Sequence, residues 1–117
     1  MANPNIVGVT TINGGIAGQA VGTSATAIVS NSASSGKVYK VNALYVSNID
    51  GTNAADITVD VNDGTNTYRL ASTLSVPADS TLDVLSKAIY LLEGWSLRLT
   101  ASVAGDLEAV ASWEEIS

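Results

Sequence analysis

Cysteine, histidine and phenylalanine are all absent from this 117-residue chain, and only five of its side chains are basic. Each absence removes a class of chemistry. Without Cys there is no disulfide and no thiolate metal site. Without His the commonest general base, the commonest metal ligand and the switch near neutral pH are missing. A Ser-His or Cys-His nucleophile is then impossible, and a zinc site nearly so. Lys37, Lys40, Arg69, Lys87 and Arg98 are scattered along a chain of net charge −6. No basic stripe exists to neutralise phosphates, so neither nucleic acid nor an anionic membrane is expected as a partner. No run of about 18 apolar residues marks a transmembrane helix. Met1-Ala2-Asn3-Pro4-Asn5 lacks the basic start and apolar stretch of a signal peptide, which predicts a protein made in a cytoplasm and not exported by that route. Charged residues make up only 14%, against about 25% in an ordinary domain. The polar surface is Ser, Thr and Asn instead, and it resists self-association poorly.

What is present is alternation. Ile57-Thr58-Val59-Asp60-Val61-Asn62 sends three branched apolar side chains one way and three polar ones the other, the two-residue period of a half-buried strand. Further strands are predicted over 23–29, 37–49, 68–76, around Leu82 and Val84, 89–91, 95–101 and 107–114. Gly, Asn, Asp and Pro fall between them. The alternation of the long second strand slips near Asn42-Ala43, which predicts a bulge or two covered faces. With no Phe, the core falls to small branched residues, the four tyrosines and the two tryptophans. The fold class is all-β: a single-domain antiparallel β-sandwich, jelly-roll-like, over residues 23–117, with an extended, Gly- and Ala-rich N-terminal arm over 1–22. Leu97, Leu99, Val59 and Leu82 are expected inside. Arg98 and Thr58, one step out of phase, are expected on a solvated face and tolerant of Ala.

Catalysis would need a carboxylate pair, Asp60 with Asp83 or Glu108 with Glu114. All four lie on the polar side of alternating strands, and a solvated face explains them without chemistry, so no enzyme and no cofactor are expected. Asp50, Asp56, Asp60 and Asp63 cluster around one hairpin and offer oxygens for calcium. Asp50-Gly51-Thr52-Asn53 and Asp63-Gly64-Thr65-Asn66, identical in sequence, complete no EF-hand spacing, and turn chemistry accounts for them. Trp95 and Trp113 are in phase with the core. Tyr39 and Tyr45 are not, and with Trp113 they are the candidates for a sugar-stacking platform.

The segments Ser75-Val76-Pro77-Ala78-Asp79-Ser80-Thr81-Leu82, Ile89-Tyr90-Leu91-Leu92-Glu93-Gly94-Trp95-Ser96-Leu97, Ala101-Ser102-Val103-Ala104-Gly105-Asp106-Leu107-Glu108 and Ser112-Trp113-Glu114-Glu115-Ile116, with Val46-Ser47-Asn48-Ile49-Asp50-Gly51-Thr52 upstream, resemble small virion structural proteins of tailed bacteriophages, cyanophages among them. The resemblance covers residues 37 to 117. It departs from the pattern at Trp95, where an acidic residue usually follows Glu-Gly, and at Trp113, where Tyr is usual. It implies a virion protein assembled in the host cytoplasm, with no active site. The leading expectation is a capsid decoration (cement) protein that binds and stabilises the head shell. The alternatives are a tail-, neck- or fibre-associated module and a carbohydrate-binding sandwich. Implied partners are the chain itself and the major capsid protein or another virion protein. The thinly charged edges and the off-phase apolar residues argue for self-association; the resemblance makes the number three. Expected interface residues are Ile6, Val7 and Val9 in the arm and Tyr39, Tyr45, Val110 and Ile116 in the sandwich.

Overall fold

The computed structural model describes residues 4–117. The described residues form nine strands: β1 (Ile12–Ala20), β2 (Thr26–Ser30), β3 (Val38–Asn48), β4 (Ala55–Asn62), β5 (Thr67–Val76), β6 (Thr81–Asp83), β7 (Ile89–Leu91), β8 (Ser96–Ala101) and β9 (Leu107–Ile116). Every strand pairing is antiparallel. One sheet runs β1-β9-β3-β6, with β7 also laid on β3; the other runs β2-β8-β4-β5. β6 pairs with Tyr45–Ser47 and β7 with Tyr39–Val41, so the two act as halves of one interrupted edge strand. Counted so, each sheet has four strands and the chain passes back and forth between them, the double-sheet arrangement of a jelly roll.

The core follows from strand phase. Leu44 and Val46 of β3, Ile57 and Val59 of β4, Leu97 and Leu99 of β8, and Leu107, Ala109 and Ala111 of β9 are all buried between the sheets. Leu82, Trp95 and Trp113 pack against this cluster while keeping some exposure. Two buried asparagines fasten the loops. The Asn48 amide donates to the carbonyls of Asn53 and Val76, both at 2.9 Å. The Asn31 amide donates to the carbonyls of Lys37 and Leu91 at 2.9 and 3.1 Å. The hairpin loop Ala104-Gly105-Asp106 between β8 and β9 has Gly105 at φ +89°, the left-handed conformation such loops require.

Three expectations are corrected. The segment predicted as an arm does run extended, but Ile12–Ala20 is a strand of the sandwich, paired along its whole length with β9. Its inward positions are Gly15, Ala17 and Gln19, so it shows no apolar alternation; the Trp113 side chain covers Gly15 instead, an aromatic shielding a glycine across the ladder. Ahead of β1, the arm expected to run extended turns at Ile6-Val7, with the Gly8 N–H donating to the Asn5 carbonyl at 3.0 Å and the Val7 N–H to the Asn5 side chain at 3.0 Å. Met1, Ala2 and Asn3 lie outside the described residues. In β5, finally, Tyr68, Leu70, Leu74 and Val76 alternate as one apolar face in the sequence, but register shifts opposite Ile57–Val59 and Val59–Asp60 break it. Val76 is buried, but Tyr68, Leu70 and Leu74 are exposed on this edge strand.

Candidate interaction face

The outer face of the five-stranded sheet is assembled from alternate residues of its strands. Registers Ile16↔Ser112↔Ala43 and Gly18↔Val110↔Tyr45↔Asp83 run straight across it. Ile16, Val110 and Tyr45 are 73%, 42% and 46% exposed, unusually high for apolar side chains mid-strand. Beside them Gly18 and Ala20 add almost no side chain, leaving a shallow hollow of about 330 Å³ lined by Gly18, Gln19, Ala20, Glu108, Ala109 and Val110. Charge lies around them: Glu108 opposite Ser47 and Glu114 opposite Lys40 in flanking registers, and Asp83 at the far end of the Tyr45 register. The result is a neutral, apolar band with a recess next to a tyrosine.

Of the expected interface residues, Tyr45 and Val110 are brought together here as direct cross-strand partners. Ile6 and Val7, 49% and 95% exposed, project from the turn before β1, and Val9 is half-buried. Tyr39 is corrected. The register shift between Val41 and Ala43 flips the parity of everything N-terminal to it, so Tyr39 faces inward and packs against the core. Its phenol is pushed up from its ordinary pKa by burial first, then by the charge and hydrogen bond of Glu115, with Lys37 pulling the other way. Glu115 in turn meets the Lys37 ammonium at 3.2 Å. Ile116 is also corrected. It has the parity of the outer face, yet it lies between Ile12 and Val38 in the sheet and is only 3% exposed. Sequence reasoning missed Ile12 and Ile16, whose even spacing with Gly14 and Gly18 is a strand signal hidden by the glycines.

The candidate chemical groups do not converge. Asp60 and Asp83 sit on different sheets. Glu108 and Glu114 share a face of β9 but are six residues apart, about 20 Å along a strand. Tyr39 and Trp113 point inward and Tyr45 outward, so the three form no stacking platform. Asp50 precedes β4 and Asp63 follows it, at opposite ends of the strand. Each caps its own turn: the Asp50 carboxylate accepts from the N–H groups of Thr52 and Asn53 at 2.7 and 3.2 Å, and Asp63 from those of Thr65 and Asn66 at 2.9 and 2.7 Å. These backbone hydrogen bonds hold both carboxyls below their ordinary pKa. Among the described residues no three acidic side chains form a group able to hold a metal ion.

Asp60 is buried and bound. Its Oδ1 accepts from Arg98 Nε at 2.7 Å, and Arg98 Nη2 donates to Thr67 Oγ1 at 3.0 Å. This corrects the expectation that Arg98 is a dispensable solvated residue. The Thr58 hydroxyl likewise accepts the N–H of Thr73 at 3.0 Å, and Thr73 sits at φ +48° in the β5 bulge.

No protein-family model matches the chain, and no curated protein sequence matches it. Solved structures do. A pentameric capsid protein isolated from metagenomic phage sequences aligns over 86% of this chain and 60% of its own, at 20% identity and a TM-score of 0.44. This chain thus spans about three-fifths of that protein's length. A pilus protein of Bacillus endospore appendages aligns over 92% of this chain and 87% of its own, at 13% identity and a TM-score of 0.52. The capsid structure of Helicobacter pylori bacteriophage KHP30 aligns over 93% and 90%, at 9% identity and a TM-score of 0.54. The last two show that the chain shares a fold with proteins of a phage capsid and of a pilus.

Proposed function

We propose that this protein is a structural component of a phage virion: a capsid decoration (cement) protein that binds the head shell and stabilises it, assembling in the host cytoplasm. The observation that carries the reading is the band of Ile16, Val110 and Tyr45 across one sheet, neutral, exposed and next to a recess. Apolar patches of this kind mark interaction surfaces. The fold supports the reading without requiring it, since one fold hosts many functions. Of the two neighbours above, the pilus is described as disulfide-linked, a linkage this cysteine-free chain cannot make. The KHP30 structure is a capsid, which agrees with the resemblance to small virion proteins. No enzymatic role is proposed, because the candidate carboxylate pairs, Asp60 with Asp83 and Glu108 with Glu114, are not brought together.

The oligomer we propose is a homotrimer, matching the three-fold positions of a capsid lattice. The test is to mix purified protein with emptied heads, and separately with tails, of the phage that encodes it. Binding to heads, with a rise in the temperature at which they rupture, is expected. Binding to tails alone would move the protein to a tail, neck or fibre role. A Tyr45→Ser/Val110→Ser variant that still coats heads as tightly as the original would overturn the assignment of this face.

A further inference from the structure

We infer that β1 is an exchangeable strand, and that a second copy of this chain can seat its own β1 against β9 in place of the resident one. The first observation is how weakly β1 is held. It pairs on one side only, with β9, through nine registers from Ile12↔Ile116 to Ala20↔Glu108. Among the described residues no strand pairs with its other edge. Of its apolar side chains Ala17 packs against the core, while Ile12 and Ile16 are 55% and 73% exposed. Glycines occupy three of its nine positions, and ordering glycine costs more backbone entropy than ordering any other residue. Segments with few buried apolar contacts are the ones that open first.

The second observation is that the place β1 occupies needs a strand, and needs this one. Removing it bares the β9 edge and uncovers the Trp113 indole. A Cβ on Gly15 would come within 2.5 Å of the indole Cε2 and 2.6 Å of its Nε1. An occupant must therefore present glycine opposite Trp113, with residues that satisfy the β9 backbone on either side. β1 does so, and every other copy carries the same segment. Charge does not oppose the exchange, since Ile12–Ala20 has no charged residue. The edge also lacks the Lys, Pro or inward charge that usually prevents strand addition.

The third observation is the connection. Val21 remains tied to β9, its N–H donating to the Leu107 carbonyl at 2.9 Å, and the Gly22 carbonyl accepts from the Ala101 N–H at 2.8 Å. Between there and β2 only Thr23, Ser24 and Ala25 intervene, all exposed. Gly22 to Ala25 fully extended reach about 14 Å, more than the roughly 10 Å between packed sheets. The connection therefore closes without strain, and exchange is driven by concentration once the Val21 and Gly22 contacts are released. The exchanged state repeats the contacts of the resident state, so it joins copies without a new interface design. This goes beyond the cement reading and holds wherever the protein assembles.

Ile16 and Ser112 are register partners, and cross-strand Cα spacings of about 4.5–5.5 Å accept a disulfide. Two full-length single variants, Ile16→Cys and Ser112→Cys, one carrying a mass tag, are mixed at high concentration, incubated and oxidised. The double variant is oxidised in parallel over a range of concentrations. Strand exchange predicts a tagged–untagged linked dimer on a non-reducing denaturing gel, and a double variant that shifts from closed monomer to linked dimers as concentration rises. A double variant that closes only within its own chain at every concentration, with no linked dimer in the mixture, overturns the proposal. So does failure to form either disulfide, because the register itself would then be wrong. Capsid binding is scored separately, so loss of the cement role leaves this result untouched.

Discussion

The two outer faces of this sandwich are built from the same alternation and have opposite characters. On the sheet β2-β8-β4-β5, the outward side chains bond to one another: Arg98 to Asp60 and Thr67, and the Thr73 N–H to Thr58, with Ser102 accepting from the Asp56 N–H. That face closes itself with its own donors and acceptors. On the sheet containing β1, the outward positions at the centre are Ile16, Val110, Tyr45 and glycine. Hydrogen bonds there lie around them, as between Asn42 and Glu114 at 3.0 Å and between Ser47 and Thr81 at 2.9 Å. Polar groups that are already satisfied gain little from a partner, whereas exposed apolar area gains directly from being covered. The outer face of the sheet containing β1 therefore stands to gain from docking, with the apolar side chains Tyr68, Leu70 and Leu74 of the other sheet confined to its edge strand β5, and charge has little part in the docking.

The sharpest way to break this contrast is Arg98→Ala. The Asp60 side chain is only 5% exposed and its partner is 27% exposed. Removing the guanidinium leaves a buried carboxylate without its cation, at a cost of about 3 kcal/mol. Urea denaturation of the two proteins measures it. A loss under about 0.5 kcal/mol would mean that Asp60 reaches water and that the polar face is not closed. Next in size is Gly15→Ala in β1. The added methyl drives against the Trp113 indole, and overpacking of this kind costs about 2 kcal/mol. Chemical denaturation is again the measurement. A negligible loss would show that β1 lifts from β9 with little penalty, and would turn the contrast between faces into a contrast in mobility.

The sandwich was legible in the sequence wherever a strand was buried on one face and wet on the other. β8 follows its alternation residue by residue, β4 and β9 follow theirs except at the buried Asp60 and Ile116, and the slip at Asn42-Ala43 marks a real register shift. Reading failed where that rule has no purchase. β1 is an edge strand whose inward side is Gly15, Ala17 and Gln19, so no hydrophobic period betrays it, and the residue that compensates, Trp113, is about a hundred positions away. Tyr39 was assigned the wrong face because one extra residue inverts parity, and its position relative to the bulge decides which face it takes. β5 appears apolar in sequence, but two further register shifts and an edge position leave Tyr68, Leu70 and Leu74 outside. Arg98 and Asp60 look like two members of a solvated face. Only their adjacency across β4 and β8 makes them a pair. The face proposed for docking was half visible, through Tyr45 and Val110; Ile16 came from the strand the composition concealed.

A pH measurement sharpens the contrast at the inward end of the sheet containing β1. Burial and the neighbouring Glu115 raise the Tyr39 phenol above its ordinary pKa, so the folded protein holds that proton more tightly than the unfolded chain. The linked stability is fully present below the unfolded value of about 10 and drains away as pH rises towards the raised folded value. Thermal melting at stepped alkaline pH should show this decline from pH of about 10 upward, and Tyr39→Phe should flatten it. The exposed tyrosines Tyr45, Tyr68 and Tyr90 are unchanged in both proteins and cancel. An identical alkaline slope in the variant would place Tyr39 in water, on the same side as Tyr45, and would restore the uninterrupted parity that the bulge removes.

The smallest effect on folding comes from the residues with the largest proposed role. Tyr45 and Val110 stand nearly half exposed on the outer face, so the double variant Tyr45→Ser/Val110→Ser gives up little buried area. Its stability should stay within about 0.5 kcal/mol of the original for each substitution. Self-association should respond far more, because the same side chains bury their exposed area only when a second molecule covers them. Light scattering across micromolar concentrations, alongside denaturation of the same samples, separates the two quantities. A variant that keeps its fold but scatters as a monomer, where the original scatters as a larger species, assigns the apolar face to assembly. If instead the original is itself a monomer throughout, self-association through this face is excluded in free solution, and the band of Ile16, Val110 and Tyr45 is left to the virion surface as its partner. If both proteins associate alike, the contact lies elsewhere, and the exposed edge strand β5 with Tyr68, Leu70 and Leu74 is the next place to substitute.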